Sequence, residues 1–370
     1  MRRSLYMLYV IGIICFISTG MPAQEENQWN QAPEFYFLGY LDVFYAYDFN
    51  QPESGVRQPF LYNHNRHNQF NLNHGILGFE ISNPKYRACL SLQTGTYPMD
   101  NYSSEPGVLK NIYEAYIGLA LNKKNNLWLD AGIFSSFIGF ESPISIDNWT
   151  LTRSLGAENS PYFLTGVRIN YSPNEKWEIL GSIVNGWQRI QSVQGNSLPS
   201  FGTQVMFNPS DRFTFNWSTF IGTDDPDSTR RMRYFNNFYG QFEISEKLGL
   251  IAGFDIGYQQ ESKGSSNYRN WHAVTLILRY EISKKWAMAF RGESYVDQHG
   301  VMIESDTPNG FNTSGLSVNG DFRPIPNLAC RMEVRWLNSV DEIFVKDDYF
   351  TQNNLFIVAS IAYKLRKHLK

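Results

Sequence analysis

Between Leu328 and Leu337 the side chains alternate without a break: Leu328, Cys330, Met332, Val334 and Trp336 fall on one side and Ala329, Arg331, Glu333, Arg335 and Leu337 on the other. A period of two belongs to an extended strand, whose successive side chains point to opposite faces. Such a strand separates two media. In a soluble sandwich these are a core and bulk water; in a transmembrane barrel they are lipid and a water-filled interior. One strand does not choose between them.

The same alternation recurs along the chain. Trp177, Ile179 and Ile183 oppose Glu178 and Ser182; Phe213, Phe215, Trp217 and Ile221 oppose Thr214, Asn216 and Ser218; Leu248, Leu250, Ala252, Phe254, Ile256 and Tyr258 oppose Gly253, Asp255, Gly257 and Gln259. Turn-like clusters punctuate these segments at 83–85, 122–126, 172–176, 208–212, 245–247, 283–285 and 324–327. Longer polar stretches lie near 49–68, 98–108, 138–160, 187–199, 223–231, 260–268, 298–312 and 339–351. Seven short turns and eight long loops imply about sixteen strands. The predicted fold is all-β: a transmembrane antiparallel up-and-down β-barrel with short periplasmic turns and long extracellular loops.

Aromatic placement separates lipid from a protein core. Beside the short turns, on apolar faces, stand Tyr86, Tyr171, Trp177, Phe207, Phe213, Tyr280, Trp286 and Tyr363; near the opposite ends stand Tyr45, Tyr47, Tyr258 and Trp336. Bilayer interfaces select two such belts, because amphipathic rings settle at headgroup level. Aromatic residues make up 16% of the 370 residues, enough to furnish both belts.

The chain opens with two arginines ahead of an apolar run, MRRSLYMLYVIGIICFISTG, the layout of a secretory signal. We assign 1–23 to it, with cleavage after Gly20 or Ala23, and take an uncleaved anchor as the alternative. Residues 24–34 read as a short periplasmic segment and 35–366 as the barrel. No later apolar run approaches the roughly 20 residues of a membrane helix. The last strand carries Leu355, Ile357, Ala359, Ile361, Tyr363 and Leu365 on one side, and the following RKHLK leaves its end open. Beyond Cys15 in the signal, Cys89 falls on the polar face and Cys330 on the apolar one, so no disulfide is indicated.

A barrel of about sixteen strands is wide enough for an aqueous channel. Its expected lining includes Arg168, Arg279, Arg291, Arg331, Arg335, Glu114, Asp130 and Glu333, with Arg87, Lys364, Asp42, Glu80, Glu178, Glu243, Asp255 and Glu293 also inward. The signs nearly balance, which argues for weak selectivity among small polar solutes or ions. Any one of these charges is first expected to pair across neighbouring strands. The stretch 138–161 is unusual for a loop in holding Ile144, Ile146, Trp149 and Leu151. It is expected to fold into the barrel and narrow it, with Glu141, Asp147, Arg153 and Glu158 at the constriction; a cap packed outside the barrel is the alternative.

"YLDVFYAYDFN", "DAGIFSSFIGFESP", "NWTLTRS", "PYFLTGVRINYSP" and "IVNGWQRI" resemble segments of the OmpL-like outer-membrane β-barrel porin family. The resemblance covers the first half of the mature chain by motif and the second by layout. It implies a diffusion pore in a Gram-negative outer membrane, no catalytic residue and no cofactor. Expected partners are outer-membrane lipids, small polar solutes or ions, the barrel-assembly machinery during insertion, and a second copy in a homo-oligomer.

Other functions carry weaker signals. A barrel enzyme needs a His paired with an acid or Ser, and His272 has no motif partner. His64, His67 and His74 invite a metal, but no carboxylate or Cys stands at a recognised ligand spacing, so exposed loop polarity is the expected reading. Only about ten polar residues precede Phe35, too few for a plug domain. A substrate-specific facilitator and a structural or adhesive barrel stay open. With no basic patch and a net charge of −3, a nucleic-acid site is not indicated.

Overall fold

The computed structural model describes residues 31–346 and 349–369, so the signal assignment and most of the 24–34 segment lie outside the described residues. The first half of the barrel is built from β1 (Glu34–Asp48), β2 (Gln69–Ser82), β3 (Tyr86–Thr94), β4 (Ile112–Ala120), β5 (Leu127–Ser135), β6 (Phe163–Asn174), β7 (Trp177–Val184) and β8 (Ser200–Ser210). The second half comprises β9 (Phe213–Gly222), β10 (Arg233–Glu243), β11 (Leu248–Gln260), β12 (Tyr268–Glu281), β13 (Trp286–Asp297), β14 (Phe311–Ile325), β15 (Leu328–Ser339) and β18 (Asn353–Leu369). Each pairs with its chain neighbour and β1 pairs with β18, closing sixteen antiparallel strands into a barrel. Closure leaves no edge amide facing lipid.

The short turns share one device. Asn83, Asn174, Ser210, Ser245 and Ser283 each accept, through the side-chain oxygen, the backbone N–H two residues on, that of Lys85, Lys176, Arg212, Lys247 and Lys285. This is the local turn chemistry that Asn and Ser favour. It leaves a basic residue at the rim each time.

The β18 strand runs through the basic tail, pairing Leu369 with Phe35. Arg366 there donates to Glu80 at 2.9 Å and lies 3.6 Å over the Tyr36 ring. The last long loop also holds a feature the alternation did not foretell, a small hairpin of β16 (Phe344–Lys346) and β17 (Tyr349–Thr351). The second long loop carries the helix α1 (Thr96–Asn101), and the third carries the single helical turn α2 (Leu155–Glu158).

Outward faces are apolar and open: Leu77, Phe79, Ile117, Leu276, Leu316, Met332 and Ile361 are all exposed. The expected belts face the same way, with Tyr86, Tyr171, Trp177, Tyr280, Trp286 and Tyr363 exposed near the short turns, and Tyr258 and Trp336 near the long loops. Cys330 lies among outward residues such as Met332, whereas Cys89 is buried inward, 3.4 Å from the Ser91 hydroxyl. Both are free thiols.

Inside, one feature departs from the sequence reading. Near the extracellular strand ends Phe44, Phe134, Phe220, Trp271, Phe311 and Phe356 point inward, each no more than 1% exposed. Loop residues Phe60, Leu61, Leu151, Leu155, Trp187 and Phe344 pack with them in one cluster. Strand parity marks these positions as inward but does not say whether the inside there is wet. The loops folding over them make it dry.

Candidate functional site

The lumen is built in rungs. Arg87 on β3, Gly118 on β4, Asp130 on β5 and Arg168 on β6 are successive register partners. A Cβ on Gly118 would lie 2.2 Å from Asp130 Oδ1, so glycine lets Arg87 reach across β4. Arg87 donates to both carboxylate oxygens at 2.8 and 2.7 Å, and Arg168 Nε and Asn170 Nδ2 donate at 3.0 and 2.8 Å. Glu114, beside this rung, accepts from the Ser135 backbone N–H at 3.0 Å and its hydroxyl at 2.6 Å.

The opposite wall repeats the plan. Arg291 on β13 and Arg335 on β15 both pair in register with Ser317 on β14, and Glu293 with Gly315. The small β14 residues let the long charges meet: Arg291 Nη2 donates to Glu333 Oε1 at 2.7 Å and Arg335 Nε to Glu293 Oε1 at 2.9 Å. Below them Arg331 Nε donates to Asp321 at 2.7 Å, and Arg279 bridges Glu281 at 2.7 Å and Asp321 at 3.4 Å. Arg291, Arg335, Glu293 and Glu333 have side chains no more than 1% exposed.

What covers them is the loop 136–162, between β5 and β6. The Phe137 carbonyl accepts from Gln204 Nε2 at 3.0 Å and the Ser218 hydroxyl at 2.8 Å. The chain then crosses the lumen, turns through a 3-10 segment at Ser145–Asp147 and returns to β6. Inward glycines receive its rings: added Cβ atoms on Gly202, Gly249 and Gly253 would lie 2.4, 2.5 and 2.6 Å from Phe137, Trp149 and Phe140. Glu141 accepts from the Ser154 N–H and hydroxyl, binding the two arms of the loop together. Asn148 closes the turn, accepting from Ser142 N–H and donating to Ser142 O, both at 2.8 Å.

The four loop charges are spread over the depth of the lumen. Asp147, at the turn, meets Lys364 Nζ at 2.6 Å in the periplasmic third of β18, and its side chain is 38% exposed. Glu141 and Arg153 are buried deeper within the barrel. Arg153 lies 3.3 Å over the Tyr162 ring and donates to Ala157 O at 3.0 Å. Glu158 caps the first long loop, accepting from Tyr62 N–H at 3.0 Å and Tyr162 hydroxyl at 2.8 Å.

Sequence reasoning missed the loop's neutral partners, Thr150 and Thr152, and Asp321, although Asp321 sits in phase with inward Asn319. It also misread two histidines. His64 is 1% exposed and bonds Asp42 Oδ2 at 2.9 Å, and His74 is fully buried against Gln93 at 3.0 Å. Neither is exposed loop polarity: the first loop folds inward and sets His64 on Asp42, and His74 is a residue of β2, in register with Asp42 and facing the lumen. Among the described residues no three His, Cys, Asp or Glu side chains converge as metal ligands. His272 follows inward-facing Trp271 and therefore points out of the barrel.

A closed barrel of sixteen strands, aromatic belts outside, charged rungs inside and a loop folded through the lumen define an outer-membrane porin. The chain belongs to the beta-barrel porin-2, OmpL-like family, whose model matches residues 34–365. Comparison with curated proteins returns no match. Solved structures show the same fold at low identity. The outer membrane channel DcaP of Acinetobacter baumannii is 13% identical with a TM-score of 0.60, covering 90% of this chain and 98% of that one. An anion-selective porin from Comamonas acidovorans is 8% identical with a TM-score of 0.60, covering 90% and 100%. The trimer form of in-vitro folded OmpT from Vibrio cholerae is 8% identical with a TM-score of 0.58, covering 90% and 100%. The protein is a channel of the bacterial outer membrane.

Proposed function

We propose that this porin passes small polar solutes and ions by passive diffusion, with weak charge selectivity. The observation that carries this reading is the alternation of guanidinium and carboxylate around the inner wall. Arg168, Asp130 and Glu114 stand on one side; Arg279, Arg291, Arg331, Arg335 and Glu333 stand on the other. A single-signed ring would select by charge, whereas paired rungs leave little net field along the lumen. The 138–161 segment is the constriction in this reading, and Asp147 is the loop charge best placed to meet a passing ion, since it alone of the four is exposed.

His272, the histidine that a barrel enzyme would need at its wall, points out of the lumen. Assembly as a homo-oligomer belongs to the same proposal, supported by the trimer form of the Vibrio porin. The test is the reversal potential of the purified protein in a planar bilayer under a potassium chloride gradient. Values within about 20 mV of zero at a ten-fold gradient fit paired rungs; a potential near the single-ion limit of about 59 mV contradicts them.

A further inference from the structure

A loop that only narrows a pore leaves a water-filled gap beside it, and the charges bordering that gap keep access to solvent. Here four wall charges of β13 and β15 that face the loop have none, whereas Lys364, paired with Asp147 at the loop's periplasmic turn, keeps 41% exposure. Arg291, Arg335, Glu293 and Glu333 are at most 1% exposed in their side chains. Besides pairing with one another, they bond the loop backbone and its hydroxyls. Arg291 donates to Thr150 Oγ1 at 2.9 Å, Thr152 O at 2.6 Å and Thr152 Oγ1 at 2.9 Å. Arg335 donates to Arg153 O at 2.9 Å and Thr152 Oγ1 at 3.3 Å, and Arg331 to Asn148 O at 3.0 Å and Ser145 O. In return Leu151, Thr152 and Leu155 donate their N–H groups to Asn319, Glu333 and Glu293 at 3.1, 2.6 and 2.7 Å.

Three further observations run the same way. The loop's two arms are joined through Glu141 and Ser154, so the segment between them is one preorganised piece. Its rings fill wall positions that only glycine leaves open. Above it, Leu151 and Leu155 join the dry aromatic ring near the extracellular ends. Polar wall, glycine wall and aromatic ring are all satisfied by the loop rather than by water. Water would satisfy the polar wall equally well, since a charged, hydrogen-bonding wall pays no penalty for being wetted.

We infer that the 136–162 loop is a plug and not only a constriction: docked as described it shuts the barrel, and the channel conducts when the loop leaves the β13–β15 wall and water takes over its hydrogen bonds. This rests on the porin reading above. The plug and that reading fail in different ways, so one experiment separates them.

The test is a reversible lock. A Cβ at Gly156 would lie 3.2 Å from the Ala273 Cβ, close to the roughly 3.5–4.5 Å that a disulfide spans. The full chain carrying G156C and A273C, with C15S, C89S and C330A removing the native thiols, is folded in detergent and recorded in a planar bilayer before and after dithiothreitol. Loss of free thiol verifies the bond. Oxidised protein is expected to conduct roughly ten-fold less or lower, with recovery on reduction. Equal conductance in the two states overturns the plug. A second variant guards against a lock that does not form: residues 143–152 replaced by two glycines, which the contact of Glu141 with Ser154 shows to be a short span. That barrel is expected to stay open steadily where wild type opens in brief steps; an open time no longer than wild type overturns the plug. Silence from folded wild type and folded shortened barrel alike overturns the porin reading itself.

Discussion

Asp130 shows how much a single lumenal charge holds. It is fully buried and gathers Arg87, Arg168 and Asn170, from β3 and β6, onto one carboxylate. Replacing Asp130 by Asn leaves two guanidiniums short of their counter-charge. Because Arg87 and Arg168 keep 31% and 17% exposure, the expected loss is about 1–3 kcal/mol, below that of a sealed pair. A lowered urea midpoint of the folded band in cold SDS electrophoresis would register it, and an unchanged midpoint would refute it. Asp147→Asn is the opposite case. Its pair with Lys364 is about two-fifths exposed on both sides, so stability should change by less than about 1 kcal/mol. The freed ammonium should instead move the reversal potential toward anions, and a shift toward cations would count against Asp147 lying on the ion path.

At the scale of elements, the strands and turns were legible because each is a local pattern. Alternation set the parity of Arg331, Glu333 and Arg335, and the clusters ending in Lys85, Lys176, Arg212, Lys247 and Lys285 marked five turns, whose shared bond appears only in the fold. The loop's docking was legible only in part. Its apolar residues marked it as packing against something, but Thr152 meets Glu333 across 181 positions of sequence and nothing local encodes that bond. The inward glycines of β11 were visible as parity and not as sockets. Gly253→Val should push on Phe140 and cost the docked loop about 1–3 kcal/mol. Faster proteolysis within 136–162, with the barrel band intact, is the expected result; Gly320→Ala, which meets nothing within 4 Å, should leave the loop as resistant as wild type. Topology has its own check. An epitope inserted after Asp225, in a long loop, should bind antibody on intact cells, whereas one after Lys284, in a short turn, should bind only after permeabilisation.

On the scale of the whole molecule the outer surface follows from the alternation alone, and the inner one does not. Outside, lipid is the same medium for every strand, so local sequence suffices to read it. Inside, strand parity is blind to what the loops bring: His64 is buried on Asp42, and Phe60 stacks edge-on to Phe311 with ring centres 4.8 Å apart. A solute path runs through this barrel if single-channel recording of the purified wild-type protein beside the 143–152 replacement shows current in both. Discrete current steps are expected from both, brief in wild type and sustained in the shortened barrel. Two correctly folded proteins that carry no current would contradict it.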